Sequence, residues 1–447
     1  MTEVFCEDLE EKKEKVVLAG LCLPQDKDFD HSMEELEELA KACDMEVTAI
    51  AVQRMPAVNK ALYVGKGKVE QIRQLAEESG AVLVIFDKTL TPMQLRNLQK
   101  ELGLAVMDRT TLILEIFSKR AGTREAKLQV ETASLKYMLP RLVGLHEALS
   151  RQGGASGSMS NRGAGEKKLE LDRRHIEARL LSLEKELAKM EKDRESMRKR
   201  RQKSTLPLVS LVGYTNAGKS TLMNRLLERY NKGDEENAIA KQVLEKDMLF
   251  ATLETSVRRM EGEGGRQFLL SDTVGFINDL PHALIKAFRS TLEEVRYADL
   301  LLHVVDRSDP YYREHMKVTR QTIEELGAGK IPEICVFNKM DLLSESPDGE
   351  DYPKIVGNQI YVAAGGGVGL EELAALIEAT LFGNRKEYAL FFPYAAGGEF
   401  SRLQEETEIL STSYEEKGIS VKAALDNRMA GKYREYIIHD EGQKEEQ

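Results

Sequence analysis

The stretch Gly213-Tyr214-Thr215-Asn216-Ala217-Gly218-Lys219-Ser220 constrains this chain more than any other, because it fits G-x-x-x-x-G-K-[ST] in the setting that pattern requires. Leu208-Val209-Ser210-Leu211-Val212 reads as a buried strand entering it, and Thr221 to Leu227 reads as the helix leaving it. Gly213 and Gly218 let backbone N–H groups turn inward around a phosphate, and the helix adds the positive end of its dipole. Lys219 is expected to reach the β- and γ-phosphates, and Ser220 to give its hydroxyl oxygen to Mg²⁺.

The parts that follow come in the order a guanine-nucleotide domain needs. Phe268-Leu269-Leu270 reads as a strand ending at Asp272-Thr273-Val274-Gly275. There Asp272 is expected to hold Mg²⁺ through water and the Gly275 N–H to meet the γ-phosphate, whose loss would release the loop. In between, Phe250-Ala251-Thr252-Leu253-Glu254-Thr255 offers a threonine to complete the Mg²⁺ shell, with Thr252 the expected ligand and Thr255 the reserve. Asn338-Lys339-Met340-Asp341 follows the apolar run Ile334 to Phe337. A carboxylate at Asp341 can accept from both the N1–H and the exocyclic amine of guanine, a pattern adenine cannot supply, so GTP and GDP are the expected nucleotides. Val362-Ala363-Ala364-Gly365 should meet the guanine oxygen through its backbone, although Ala-Ala-Gly departs from the usual Ser-Ala-Lys.

Lys219, Thr252 and Gly275 form the expected catalytic set, with Ser220 and Thr252 as the metal ligands. Phe276 occupies the place where many GTPases carry a glutamine that orients the attacking water. An apolar ring cannot do that, so intrinsic hydrolysis should be slow and a partner or another residue must complete the site. Asn216 stands where potassium-stimulated relatives place an asparagine, which makes K⁺ a second expected cation.

With 447 residues, the chain has length for about three domains. Cys6, Cys22, Cys43 and Cys335 lack CxxC spacing, which argues for a reduced cytosolic protein and against a disulfide scaffold or zinc site. No cationic-then-apolar leader opens the chain, and no apolar run approaches the ~18 residues a membrane span needs. The expectation is a cytoplasmic protein, with peripheral contact as the most a membrane could receive. Net charge is −11, but Lys119 to Thr205 carries 22 Lys and Arg against 12 Asp and Glu. That segment suits an anionic partner, nucleic acid above all.

Residues 1–120 alternate strand-like and helix-like segments, reading as an α/β domain with a mostly parallel sheet. Ser32 is the expected cap of its first helix, and a Thr91-Pro92 start caps a later one. Gly65-Lys66-Gly67-Lys68 reads as a turn ahead of a helix, with phosphate binding as the weaker reading. Residues 121–204 read as an antiparallel helical hairpin. Leu128, Leu135 and Met138 lie on one face of its first helix, and Leu169, Ile176, Leu180, Leu183, Leu187, Met190 and Met197 along its second. A helix over Glu166 to Arg201 would be about 54 Å long, too long to wrap inside a domain, so the hairpin should project. Its tip, residues 150–165, is glycine-rich and carries Arg151 and Arg162, a composition able to mould to RNA. Residues 205–383 form the nucleotide domain, and 384–447 read as a small α+β appendage with a helix near Gly397 to Leu410.

The phosphate loop, Phe250-Ala251-Thr252-Leu253-Glu254, Asp272-Thr273-Val274-Gly275-Phe276, Leu128-Gln129-Val130-Glu131, Leu139-Pro140-Arg141-Leu142, Leu149-Ser150-Arg151-Gln152-Gly153-Gly154 and Arg162-Gly163-Ala164-Gly165-Glu166 together resemble the HflX family of translational GTPases. Ala164 stands where that family has proline. The resemblance implies a GTPase that binds the large (50S) ribosomal subunit and its rRNA as a monomer. It further implies a tip inserted toward the peptidyl-transferase region, splitting or rescue of stalled ribosomes, and ATP hydrolysis by the N-terminal domain. Two other classes stay open: a GTPase acting on large-subunit precursors, and a signalling switch whose helical arm recruits a protein.

Overall fold

A computed structural model describes residues 13–26, 28–152, 159–202, 206–230, 256–262, 266–273, 275–277, 295–343, 352–383, 386–407, 409–425 and 427–438. They fall into two units. In the first, β1 (Glu14–Cys22), β2 (Met45–Arg54), β3 (Leu83–Phe86) and β4 (Ala105–Asp108) make a parallel sheet ordered β2-β1-β3-β4. Val16 to Ala19 are fully buried, as expected of a strand covered on both faces. The crossovers are α1 (Phe29–Ala42), α2 (Lys66–Ser79) and α3 (Pro92–Leu102), and α4 (Arg109–Arg120) follows β4.

Thr91 caps α3 as its sequence requires, in a reciprocal box with Gln94 and with proline at the first helical position. Ser32 does not cap α1. The helix already starts at Phe29, and the Ser32 hydroxyl donates to buried Asp87 at 2.9 Å, a tertiary partner that displaces the local one. Gly65 precedes α2 and gives its N–H to Gln53 Oε1 at 2.8 Å, so Gly65-Lys66-Gly67-Lys68 is the opening turn of a helix.

The hairpin helices, α5 (Arg124–Gln152) and α6 (Met159–Gln202), are longer than the sequence suggested and reach into the stretch expected to be loop. Once nucleated, a helix gains one hydrogen bond for each residue it adds, and a scattered glycine costs only about 1 kcal/mol. At 1.5 Å per residue, α6 is about 66 Å long. Pairing of Arg124 with Glu186 and of Glu131 with Arg179 gives the antiparallel order. Leu180 and Leu183 are buried on the expected seam and Leu128 opposes them, but Met138 is 46% exposed and lies outside it. The middle of α5 is tied to the sheet by Asp108, which caps α4 and accepts from Leu90 N–H, Tyr137 and Arg141.

In the second unit, β5 (Leu208–Gly213), β6 (Ser256–Glu261), β7 (Gln267–Asp272), β8 (Leu300–Asp306), β9 (Glu333–Asn338), β10 (Lys354–Val356) and β11 (Gln359–Tyr361) form one sheet ordered β10-β11-β9-β8-β5-β7-β6. Strands β10 and β6 are antiparallel edges, and the rest run parallel. The chain leaves β5 toward β7 on one side and returns through β8 on the other. That reversal leaves a crevice at the carboxyl end of β5, where open α/β sheets bind ligands. Helices α7 (Lys219–Tyr230) and α9 (Leu370–Phe382) pack a core of Leu211, Leu222, Phe268, Leu302 and Ile377 on one face; α8 (Tyr312–Glu325) covers the other with Ile323.

After these comes an antiparallel sheet, β12 (Lys386–Pro393), β13 (Ile409–Glu415) and β14 (Gly418–Leu425), ordered β12-β14-β13, with α10 (Gly397–Glu406) and α11 (Asn427–Lys432). The predicted helix ends at Glu406, short of Leu410, which lies in β13. The run Ile409 to Tyr414 pairs with β14, and that non-local pairing overrides helical periodicity. No helix of the described residues is long and apolar enough to cross a membrane.

Candidate functional site

At the carboxyl end of β5, Asn216 takes φ of +60° and Gly218 φ of +89°, which curls the loop into a cradle before α7 begins at Lys219. A Cβ on Gly218 would fall 2.3 Å from Asn338 Nδ2, so glycine is required there by contact as well as by conformation. The loop closes against the 275–277 segment through two backbone hydrogen bonds, Thr215 N–H to Phe276 O at 2.8 Å and Phe276 N–H to Gly213 O at 3.1 Å.

Lys219 lies inside the cradle. Its Nζ donates to the carbonyls of Tyr214 at 2.7 Å and Gly213 at 3.1 Å. Burial pulls its pKa down to about 8, with the negative charge of Asp272 working in the opposite direction. An ammonium group held by carbonyl dipoles is ready to exchange them for phosphate oxygens. Gly275 backs directly onto it, since a Cβ there would lie 2.9 Å from Lys219 Nζ and 2.9 Å from Thr215 Cα.

Ser220 donates to Asp272 Oδ2 at 3.1 Å. A hydroxyl beside a buried carboxylate is a hard-oxygen pair that suits Mg²⁺. Asp272 ends β7, and Thr273 fixes the following turn by donating to Leu211 O at 2.6 Å.

Asn338 joins the two ends of the crevice. Its Nδ2 donates to Ala217 O at 3.0 Å, and its Oδ1 accepts from Ala364 N–H at 3.0 Å. Lys339 adopts φ of +62° and pairs with Asp306 at 2.8 Å. Met340 N–H donates to Val362 O at 3.3 Å, and Asp341 stands exposed in the following turn. Val362, Ala363 and Ala364 are buried beside them.

The structure thus brings together Gly213 to Ser220, Asp272, Thr273, Gly275, Asn338 to Asp341 and Val362 to Ala364 around one crevice. Phe250, Ala251, Thr252, Leu253, Glu254 and Val274 lie outside the described residues, as does the reserve Thr255. Phe276 is 2% exposed, and its ring packs with Val212, Val295, Leu301 and Ile323. Two residues at the site carried no sequence signal. His315 of α8 stacks on the Tyr214 ring at 3.8 Å and 8°, and Arg225 of α7 donates to Gly365 O at 3.0 Å. Both act across the fold from helices whose periodicity marks them only as positions on a face.

Residues 30–118 match the GTP-binding GTPase N-terminal family, 120–201 the GTP-binding GTPase middle region, and 208–339 the 50S ribosome-binding GTPase family. The chain is 43% identical over 433 residues to the GTPase HflX of Caldanaerobacter subterraneus, covering 97% of this chain and 96% of that protein. It is 38% identical over 410 residues to the GTPase HflX of Escherichia coli, covering 91% and 92%. Among solved structures, a GTP-binding protein from Sulfolobus solfataricus in complex with GDP aligns with 25% identity and a TM-score of 0.41, covering 81% of this chain and 98% of that one.

Proposed function

The chain belongs to the HflX family of GTPases and is a GTP-hydrolysing enzyme, and from that premise we propose that it works on the large ribosomal subunit, which triggers its hydrolysis and which it frees from stalled ribosomes. The observation that carries this reading is the burial of Phe276. The side chain that follows the Asp272-to-Gly275 motif is locked in the core, and its backbone is spent on pairing with the phosphate loop. It cannot orient water, so full turnover calls for a surface supplied from outside, and the match over 208–339 is to a family described by 50S binding.

In this scheme the loop amides and Lys219 bind the triphosphate, and Asp341 with the Ala363-Ala364 backbone selects guanine. Ser220 and Thr252 would hold Mg²⁺, with Asp272 acting through water, and the ion would neutralise charge on the β- and γ-phosphates. Gly275, with no side chain to intrude on Lys219, gives its N–H to the γ-phosphate and carries the nucleotide state into the switch. Asn216, exposed and in the left-handed conformation, would take K⁺ against the phosphates. Residues 1–120 and the 121–204 hairpin form the ribosome-binding part of a monomeric cytoplasmic protein, 205–383 the motor and 384–447 an appendage.

Adding purified 50S subunits to the full-length protein tests the reading. GTP turnover should rise by at least about tenfold, and 70S particles should dissociate when GTP is present. A rise without dissociation would favour the large-subunit-precursor role; no rise at all would favour a protein-recruiting switch. Equal rates in K⁺ and Na⁺ buffers would remove K⁺ from the scheme.

A further inference from the structure

The loop leaving β11 reads Ala363-Ala364-Gly365-Gly366-Gly367, with no side chain longer than a methyl group. Such a loop cannot fix its own backbone, and freezing each residue costs about 1–2 kcal/mol, more at glycine. A loop that must offer its amides to one edge of a purine therefore has to be held. Ala363 and Val368 exchange backbone hydrogen bonds at 3.0 and 3.1 Å, and Gly367 N–H donates to Ala364 O at 3.1 Å. These bonds close the loop on itself without anchoring it to the rest of the domain.

Among the described contacts, two side chains from other elements anchor it. Asn338, part of the base-recognition motif, accepts from Ala364 N–H at 3.0 Å. Arg225 supplies the other anchor, from Nη2 to Gly365 O at 3.0 Å, while its Nη1 pairs with Glu228 at 3.0 Å along the same helix. The guanidinium is planar and its donors are fixed relative to one another, so engaging Glu228 on one arm aims the other at the loop. Arg225 is rooted in α7, the helix whose first turn carries Lys219 and Ser220. It therefore links the element that holds the phosphates to the loop that faces the base.

We infer that Arg225 is a positioning residue for guanine recognition: it holds the Gly365 carbonyl so that the flanking amides stay aimed at the 6-oxygen of the base. It takes the place of the side-chain anchors that an all-alanine-and-glycine loop lacks. The inference rests on the reading that this loop meets the base.

Competition against a fluorescent GDP on the full-length protein, combined with steady-state hydrolysis, tests it. Arg225→Ala should weaken GDP and raise KM for GTP about fivefold, the loss of one charge-assisted hydrogen bond, with kcat within about twofold of wild type. A 2-aminopurine nucleoside triphosphate, which has no 6-oxygen, should bind wild type and Arg225→Ala alike. Arg225→Lys, which keeps one donor, should recover part of the GDP affinity, and Glu228→Ala, which removes the pair that aims the guanidinium but keeps its donors, should weaken GDP less than Arg225→Ala does. An unchanged GDP affinity in Arg225→Ala would overturn the inference, and so would an equal loss for both nucleotides, which would make the arginine a general support of the fold. If wild type itself fails to prefer GTP over the 2-aminopurine analogue, the base-site reading falls and the inference falls with it.

Discussion

Lys219 gathers more of the chemistry than any other side chain in the crevice, and its surroundings explain why no other residue can replace it. In the structure it spends its donors on two loop carbonyls, an arrangement worth little once burial has weakened the charged form. Phosphate oxygens would restore that form. Lys219→Ala should therefore cost about a hundredfold in GTP affinity, measured by calorimetry, and abolish hydrolysis, while the melting temperature stays level or rises because a buried cation is gone. Gly275→Ala should do similar damage to hydrolysis from the opposite side, since its Cβ would press on Lys219 Nζ and Thr215. Asp341→Asn replaces an acceptor with a donor and should shift preference from guanine to xanthine nucleotides by about a hundredfold, read as the ratio of the two affinities. These positions were legible in sequence because backbone geometry and ligand chemistry together admit almost no other residue at Gly218, Lys219 or Asp272. Arg225 and His315 were not legible, since what defines them is a partner brought near by folding.

At the scale of elements, strands and helices with a strong period or cap were readable, and the failures have a common cause. Ser32 and Leu410 each obeyed a local rule that a tertiary partner overrode, Asp87 in one case and the β14 ladder in the other. The same force produces a polar knot between β8, β9 and α8. His303 Nδ1, Cys335 Sγ and Arg320 Nη2 all lie within 3.1 Å of Glu333 Oε1. Nitrogen, oxygen and sulfur donors converge there as in a metal site, but the Arg320 guanidinium already occupies the cation's place. Burial pushes the Glu333 carboxyl up, yet the hydrogen bonds from His303, Cys335 and Arg320 outweigh it and hold the pKa at about 2; burial raises the Cys335 thiol to about 12. Because the folded value lies below the ordinary 4.5, the stabilisation is complete above about pH 4.5 and is lost as pH falls toward 2. Glu333→Gln should lower stability at pH 7 by about 1–2 kcal/mol in urea melts, and the gap from wild type should close on acidification through that window. A gap that persists at pH 2 would mean the glutamate acts by packing alone.

Over the whole chain, acidic segments flank one basic stretch, and on the reading proposed above that asymmetry sets how the protein should meet a ribosome. Outside Lys119 to Thr205, acidic residues predominate, so approach to rRNA by those segments would be opposed by net charge. Along α5 and α6 several basic residues are already committed: Arg124 to Glu186, Lys136 to Glu184 and Arg179 to Glu131. These exposed pairs contribute little to stability but hold those cations away from phosphate, and on the reading proposed above RNA contact falls to the tip segment that carries Arg151 and Arg162 in sequence. Each phosphate contact that releases a counterion adds about 0.7–0.9 to the slope of log affinity against log salt. Replacing Arg151 and Arg162 together with glutamate should make the slope for 50S binding shallower by about 1.4 to 1.8 and should remove ribosome-stimulated GTP turnover. Basal turnover should not change, because neither residue belongs to the crevice described above. Filter binding over a range of KCl concentrations gives the slope and a phosphate-release assay the turnover. A double variant with full stimulation and an unaltered slope would move the RNA contact away from the tip.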